Sequence, residues 1–215
     1  MAQKVTIVDY GAGNIFSVSR AVEHFGAEVV LSGDPAVIRH AERLILPGVG
    51  AFANGMQGLR ERGLVEPVRE YAASGRPFLG ICLGMQMMVE RSEEFGSHDG
   101  LGILPGKVTR IAGKDAHGTP MKVPHIGWNR LTMPERRATW KDTILEGLPV
   151  ESGAYFVHSF SVVPAREEDR LADTWHGDYR VSAAIQRGNV SGCQFHPEKS
   201  GPIGLRIIGN FLESR

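Results

Sequence analysis

Pro77-Phe78-Leu79-Gly80-Ile81-Cys82-Leu83-Gly84-Met85-Gln86 is the stretch that decides the architecture of this chain. Pro77 to Ile81 is a short apolar run of the kind that forms a buried strand, and Met85 to Val89 opens a helix directly behind it. A strand that turns into a helix across Gly80-Ile81-Cys82-Leu83-Gly84 needs small residues two positions either side of the bend. The residue at the bend, here Cys82, is then presented at the carboxyl edge of the sheet. The start of the helix also aims free backbone N–H groups at any negative charge that develops there. An ordinary buried cysteine is the plain alternative, so the elbow needs a base elsewhere in the chain before it signifies chemistry.

The same alternation repeats toward the N-terminus. Val5-Thr6-Ile7-Val8 is a strand-like run that ends at Asp9 and the glycine-bearing turn Tyr10-Gly11-Ala12-Gly13-Asn14. Ile15, Val18, Val22 and Phe25 then recur at helical spacing up to Gly26. Glu28 to Leu31 and Arg43-Leu44-Ile45-Leu46 read as further strands, the latter ending at Pro47-Gly48-Val49-Gly50. Two helical segments follow, the second opening at Leu64-Val65-Glu66-Pro67, where proline is tolerated in a first turn. Strands alternating with helices imply crossover units and a parallel sheet.

Toward the C-terminus the pattern changes to strands: Gly106 to Ile111, Trp128 to Met133, Tyr155 to Val163, Arg180 to Arg187 and Asn189 to Phe195, with Gly188-Asn189 as a hairpin turn. These are expected to continue the same sheet as an antiparallel extension. Pro134 to Arg137 and Pro164 to Arg170 read as surface loops, and Ile203, Ile207, Ile208, Phe211 and Leu212 as one face of a short final helix. The expected fold is therefore α/β, three-layered, with a mostly parallel central sheet. At roughly 150 residues per domain, residues 1–215 are expected to form a single domain.

The chain carries 24 basic and 24 acidic side chains and no net formal charge. It thus has no electrostatic footprint for a nucleic-acid backbone or an anionic membrane, and neither is expected as a partner. No stretch reaches the ~18 consecutive apolar residues of a membrane span, and Met1 to Asp9 is too short an apolar run for a signal peptide. Cys82 and Cys193, the 2 cysteines, make neither a disulfide framework nor a zinc spacing, so a reducing cytoplasm is the expected setting. His125 and His158 have no metal-like spacing and read as structural or interfacial; no metal or cofactor is expected.

The base lies in Gly192-Cys193-Gln194-Phe195-His196-Pro197-Glu198-Lys199-Ser200. On an extended segment residues i and i+2 project to one side, and Pro197 biases His196 away from helix. Glu198 can then orient the His196 imidazole, which in turn can take the proton of Cys82. A solvated turn with a surface ion pair is the plain alternative. Cys193, three residues from His196, points to the opposite face of a strand and reads as core.

Together, Pro47-Gly48-Val49-Gly50, Gly80 to Gln86 and Phe195-His196-Pro197-Glu198 resemble the class I (triad) glutamine amidotransferases in order and spacing. Within that family, Asp9 to Asn14, Val123-Pro124-His125-Ile126-Gly127-Trp128-Asn129 and Tyr155-Phe156-Val157-His158-Ser159 are similar to the glutaminase subunits of imidazole glycerol phosphate synthases. The resemblance implies a flavodoxin-like sheet. It also implies hydrolysis of glutamine to glutamate and ammonia, with the ammonia passed to a cyclase subunit in histidine biosynthesis. Cys82 would be the nucleophile, His196 the base and Glu198 its orienting carboxylate. The Leu83 amide and an amide of the Gly48-Val49-Gly50 segment, that of Val49 or Gly50, would bind the oxyanion. Such donors are worth ~3 to 4 kcal/mol in the transition state. The family's glutaminases are weak until the partner binds its substrate, which makes Gly48 to Gly50 the expected switch.

The resemblance further implies that Gly50, Gln86, Glu94, Ser159 and Phe160 hold glutamine. Glu94 is placed by spacing within Ser92-Glu93-Glu94, which leaves Glu93 as the other candidate. Phe160 stands where the family usually has tyrosine, so one hydroxyl is missing. Asn14, Trp128 and Lys199 match positions that face the cyclase; a helix cap, a core residue and a solvated lysine are their respective alternatives.

Two other readings stay open. A thiol peptidase, or another triad glutaminase such as that of pyridoxal phosphate synthesis, would share the elbow, although general thiol hydrolysis requires neither Gln86 nor the Asp9 to Asn14 block. A non-catalytic flavodoxin-like phosphate binder would use Gly11-Ala12-Gly13, but Phe16 stands where a third glycine is expected.

Overall fold

A computed structural model describes residues 3–214. Its central sheet contains β1 (Lys4–Val8), β2 (Glu28–Ser32), β3 (Arg43–Gly48), β4 (Phe78–Cys82) and β13 (Val190–Cys193), all parallel, in the spatial order β2-β1-β3-β4-β13. Beyond β13, β12 (Tyr179–Arg187) and β11 (Arg170–His176) add on by antiparallel pairing. Alternate side chains face opposite ways along these strands, which splits the core in two. Val5, Ile7, Ile45, Leu79 and Ile81 pack with α1 (Ile15–Glu23) and α6 (Gly201–Glu213). Val8, Leu44, Leu46 and Phe78 pack with α2 (Pro35–Arg39), α3 (Phe52–Glu61) and α4 (Val65–Ala73) on the other face. This is the expected three-layer arrangement.

The final helix is not short: with 13 residues α6 is the longest among those described, and it buries Ile207, Ile208, Phe211 and Leu212. Each such burial is worth about 1.5–3 kcal/mol, which fixes the segment that follows the His196 loop. No described helix is long and apolar enough to cross a membrane.

Several boundaries differ from the sequence expectation, each for a local reason. The helix behind the elbow, α5, spans only Leu83–Met87, and Val89 begins β5 (Val89–Ser92) instead. The returning chain ends it: Leu101, Ile103 and Gly102 donate to the carbonyls of Met87, Met88 and Val89. The downstream strands do not all extend the main sheet. β5, β6 (His98–Asp99), β7 (Leu104–Arg110) and β10 (Phe160–Pro164) form a separate four-stranded sheet, and β8 (His125–Arg130) pairs only with β9 (Gly153–His158). The expected strand Tyr155 to Val163 breaks at Ser159, where the chain leaves β8 for β7 and the Ser159 carbonyl accepts from Ile111. β11 has no counterpart in the sequence pattern. Its first five residues are all buried and its register slips between Arg170 and Asp173, so no alternation marks it. The five-residue α2, started by an Asp34 side chain that accepts from the Ala36 amide, is equally unmarked.

Candidate active site

β4 ends on Cys82, whose backbone sits at φ +53° and ψ −109°, a conformation rare for any residue with a side chain. Holding it costs about 1–3 kcal/mol, and the surrounding glycines show what enforces it. A Cβ at Gly84 would run into the Leu46 carbonyl oxygen, and one at Gly80 would stand 2.8 Å from the Met85 nitrogen. Strand and helix therefore touch backbone to backbone around the bend. Gly84→Ala is expected to lower stability by about 3 kcal/mol, read as a drop in the urea midpoint; an unchanged midpoint would disprove this close approach.

Parallel pairing brings Gly48 into register with Cys82, so Val49 and Gly50 follow β3 beside the backbone of the elbow. Gly50 has φ +94°, with nothing within 4 Å of where a Cβ would stand, and the Val49 side chain is 43% exposed. Gly48 itself is hemmed in: a Cβ there would lie 2.7 Å from the Tyr10 hydroxyl, which donates to the Pro47 carbonyl at 2.8 Å. Tyr10 belongs to the Asp9 to Asn14 block, but local sequence holds no hint of this contact because it joins residues 37 positions apart.

On the other side of β4, β13 carries the chain toward His196. The His196 amide donates to Tyr155 O, and Ser200 Oγ donates to the His196 carbonyl while accepting from the Tyr155 amide. The expected extended geometry does not hold past this point, because Pro197–Lys199 forms a 3-10 turn. His196 and Glu198 meet across that tight turn rather than along a strand. His196 Nδ1 and Glu198 Oε1 are 2.8 Å apart, and both side chains are buried. Glu198 Oε1 also accepts from Asn14 Nδ2 at 3.2 Å, whereas its Oε2 has no partner.

Burial by itself would depress the His196 pKa, but hydrogen bonding and charge from Cys82 and Glu198 outweigh it and push the value up to about 9. This stabilisation of the fold is fully present below about pH 6.5 and is lost as pH rises through about 9. With Nδ1 committed to Glu198, Nε2 is the nitrogen left for the thiol. Cys193 is fully buried in the core, where burial first and the Glu198 charge second push its thiol pKa up. Both cysteines are free.

Of the residues expected to hold glutamine, Gln86 is buried and donates its amide to Phe160 O at 2.9 Å and Gln194 Oε1 at 3.1 Å. Glu94 is also buried and accepts from the Phe52 amide at 2.6 Å, at the start of α3 beside Gly50. Glu93 instead turns outward into an exposed ion pair with Lys107, so Glu94 is the inward member of the pair. Ser159 and Phe160 form the junction between β9 and β10, and the exposed ring of Phe95 meets Phe160 edge-on at 5.9 Å.

Asn14 occupies the N-cap position of α1, but its side chain makes no capping bond and reaches Glu198 instead. Trp128 is 63% exposed, which removes the core alternative. Lys199 is exposed. Sequence reasoning misses Phe16 and Ile126, exposed apolar neighbours of Asn14 and Trp128 along the chain, although the out-facing alternation of Ile126 with Trp128 on β8 is a usable signal. It also misses Gln194, which lies with its Nε2 3.8 Å from Cys82 Sγ. Among the described residues no three His, Cys, Asp or Glu side chains are grouped to hold a metal.

Residues 6–214 match the model of the family described as glutamine amidotransferase class-I. The imidazole glycerol phosphate synthase subunit HisH 1 of Legionella pneumophila (strain Lens) is 50% identical over 209 residues, covering 97% of this chain and 98% of its own. The HisH subunit of Sulfurimonas denitrificans is 45% identical over 211 residues, covering 98% of each. Among solved structures, PurLQS from Thermotoga maritima superimposes with a TM-score of 0.74 at 20% identity over 99% of both chains. A crystal structure described as a glutamine amidotransferase reaches 0.66 at 22% identity, over 95% of this chain and 98% of its own. With the elbow, the flanking strands and nearly the whole length in agreement, the chain belongs to the class-I glutamine amidotransferase family.

Proposed function

We propose that this chain is the glutaminase subunit of an imidazole glycerol phosphate synthase: it hydrolyses the side-chain amide of glutamine to glutamate and ammonia. A separate cyclase subunit then uses the ammonia to make imidazole glycerol phosphate and aminoimidazole carboxamide ribotide in histidine biosynthesis. The observation that carries this reading is the buried His196–Glu198 pair set against Cys82 at the end of β4. The 45–51% identity to HisH subunits over nearly the full length supports the assignment within the family.

Cys82 Sγ attacks the amide carbonyl with its proton transferred to His196, and the carbonyl oxygen becomes an oxyanion. The Leu83 amide and that of Val49 or Gly50 are read as the donors that receive it. Collapse breaks the C–N bond, His196 returns the proton to the departing ammonia, and a thioester remains. Water, activated by His196, attacks the thioester, releasing glutamate and restoring the thiol. Glu198 holds the imidazole throughout. In the glutamine pocket, Gln86 has spent its N–H groups within the protein, so its Oε1 is the atom available to a substrate ammonium. Glu94, Gly50 and the Ser159-Phe160 backbone complete the pocket.

Asn14, Trp128 and Lys199 are read as the face toward the cyclase, with Phe16 and Ile126 adding exposed apolar surface. Residues 1–215 are read as one domain and the setting as cytoplasmic, in keeping with two free thiols. No metal or cofactor enters the scheme. The purified chain, offered glutamine, asparagine and short peptides, is expected to release glutamate from glutamine alone. Cleavage of peptides with glutamine untouched would overturn the reading in favour of a thiol peptidase.

A further inference from the structure

We infer that Gln194 donates an N–H to the sulfur of Cys82, and that its orientation is dictated by a one-way series of hydrogen bonds anchored on the Phe160 carbonyl. This rests on the reading of Cys82 as nucleophile. The two ends of an amide and the two nitrogens of an imidazole are distinguished by partners that can only accept. The Phe160 carbonyl is such a partner, and it lies 2.9 Å from Gln86 Nε2 and 2.9 Å from His158 Nδ1. Both must donate to it.

With its NH2 end fixed in this way, Gln86 presents a second N–H to Gln194 at 3.1 Å, so the atom it meets is Gln194 Oε1. Gln194 Nε2 is consequently the end turned toward Cys82 Sγ, at 3.8 Å. In the other direction His158 carries its proton on Nδ1, which leaves Nε2 to accept from His125 Nδ1 at 3.2 Å. His125 Nε2 accepts in turn from Asn129 Nδ2 at 3.3 Å. Each link permits one direction only.

The series is shielded from water: Gln86, Gln194, His125 and His158 are all buried. Burial above all pushes the pKa of His125 down to about 4 and that of His158 down to about 3, so both rings stay neutral, as these tautomers require. An N–H donor interacts more strongly with a charged acceptor than with a neutral one. Gln194 therefore favours the sulfur anion that forms when His196 takes the proton.

Gln194→Glu keeps an oxygen for Gln86 and replaces the donor with an acceptor, and Gln194→Leu, which removes the donor without adding a charge, separates loss of the N–H from the effect of a new carboxylate. Alkylation of Cys82 by iodoacetamide at neutral pH is expected to slow at least about tenfold, with a parallel loss of ultraviolet thiolate absorbance. Wild-type rates in a folded Gln194→Glu variant would overturn the inference. In the otherwise native chain, the side-chain amide NMR signal of Gln194 is expected to move on alkylation of Cys82, and a stationary signal would also overturn it. Alkylation of wild-type protein no faster than the Cys82→Ala background would instead refute Cys82 as the nucleophile, a separately readable failure.

Discussion

Replacing Cys82 by alanine is expected to reduce glutamine hydrolysis by about 10⁴-fold or more while leaving the fold intact. The loss follows from the chemistry, because without a thiol there is no acyl acceptor and His196 has no proton to take. Retention of the fold follows from the packing. Alanine loses one sulfur atom at the edge of the core, and it is no more strained than cysteine at φ +53°. Removing the thiol also removes one of the groups that hold the His196 pKa near 9, so the imidazole should titrate at lower pH in the variant. His196→Ala should cost about as much as Cys82→Ala, and the double variant little more, because members of such a unit do not act additively. Glutamate release, circular dichroism and the His196 NMR titration provide the three readouts. Substantial turnover by a folded Cys82→Ala protein would refute the nucleophile assignment.

The elbow is legible in the sequence because its demands are local: small residues at Gly80 and Gly84, an apolar run before them and a helix start behind. The His196–Glu198 pair is legible because two residues in close sequence can be judged together, even though a 3-10 turn rather than a strand unites them. What escapes is set by distant partners. The helix behind the elbow stops at Met87 only because residues 101–104 claim its next carbonyls. Tyr155 to Val163 reads as one strand-like run while changing sheets at Ser159, and such a run carries no record of which strand it pairs with. Tyr10 on Pro47, Asn14 on Glu198 and Gln194 on Cys82 are contacts across 37, 184 and 112 positions. They depend on the order of strands in the sheet, which periodicity does not encode.

That strand order also bears on control of turnover, where docking of the cyclase subunit with its ribonucleotide ligand is expected to raise kcat by about 10²–10³. This is the worth of one oxyanion donor moving into place. The backbone beside Cys82 divides at Gly48. Up to that residue β3 is held, by register with β4 and by the Tyr10 hydroxyl on the Pro47 carbonyl. Beyond it, Gly50 adopts φ +94° with open space where a side chain would stand, and the Val49–Gly50 peptide is read as the part that turns. The Asp9 to Asn14 turn runs alongside, with the Gly13 backbone close enough that a Cβ would lie 3.3 Å from the Pro47 ring. It leads within three residues to Asn14 and the exposed Phe16, on the face read as the docking surface. Only a short stretch of chain therefore separates that face from the Val49–Gly50 peptide. Trp128→Ala is expected to weaken association with the cyclase while leaving turnover of the isolated chain unchanged, since Trp128 touches none of the reacting groups. Turnover measured at saturating glutamine, with and without the cyclase and its ligand, separates the possibilities. A rise in kcat supports the oxyanion peptide as the element that moves, whereas a gain confined to KM would place the effect in glutamine binding and overturn that account.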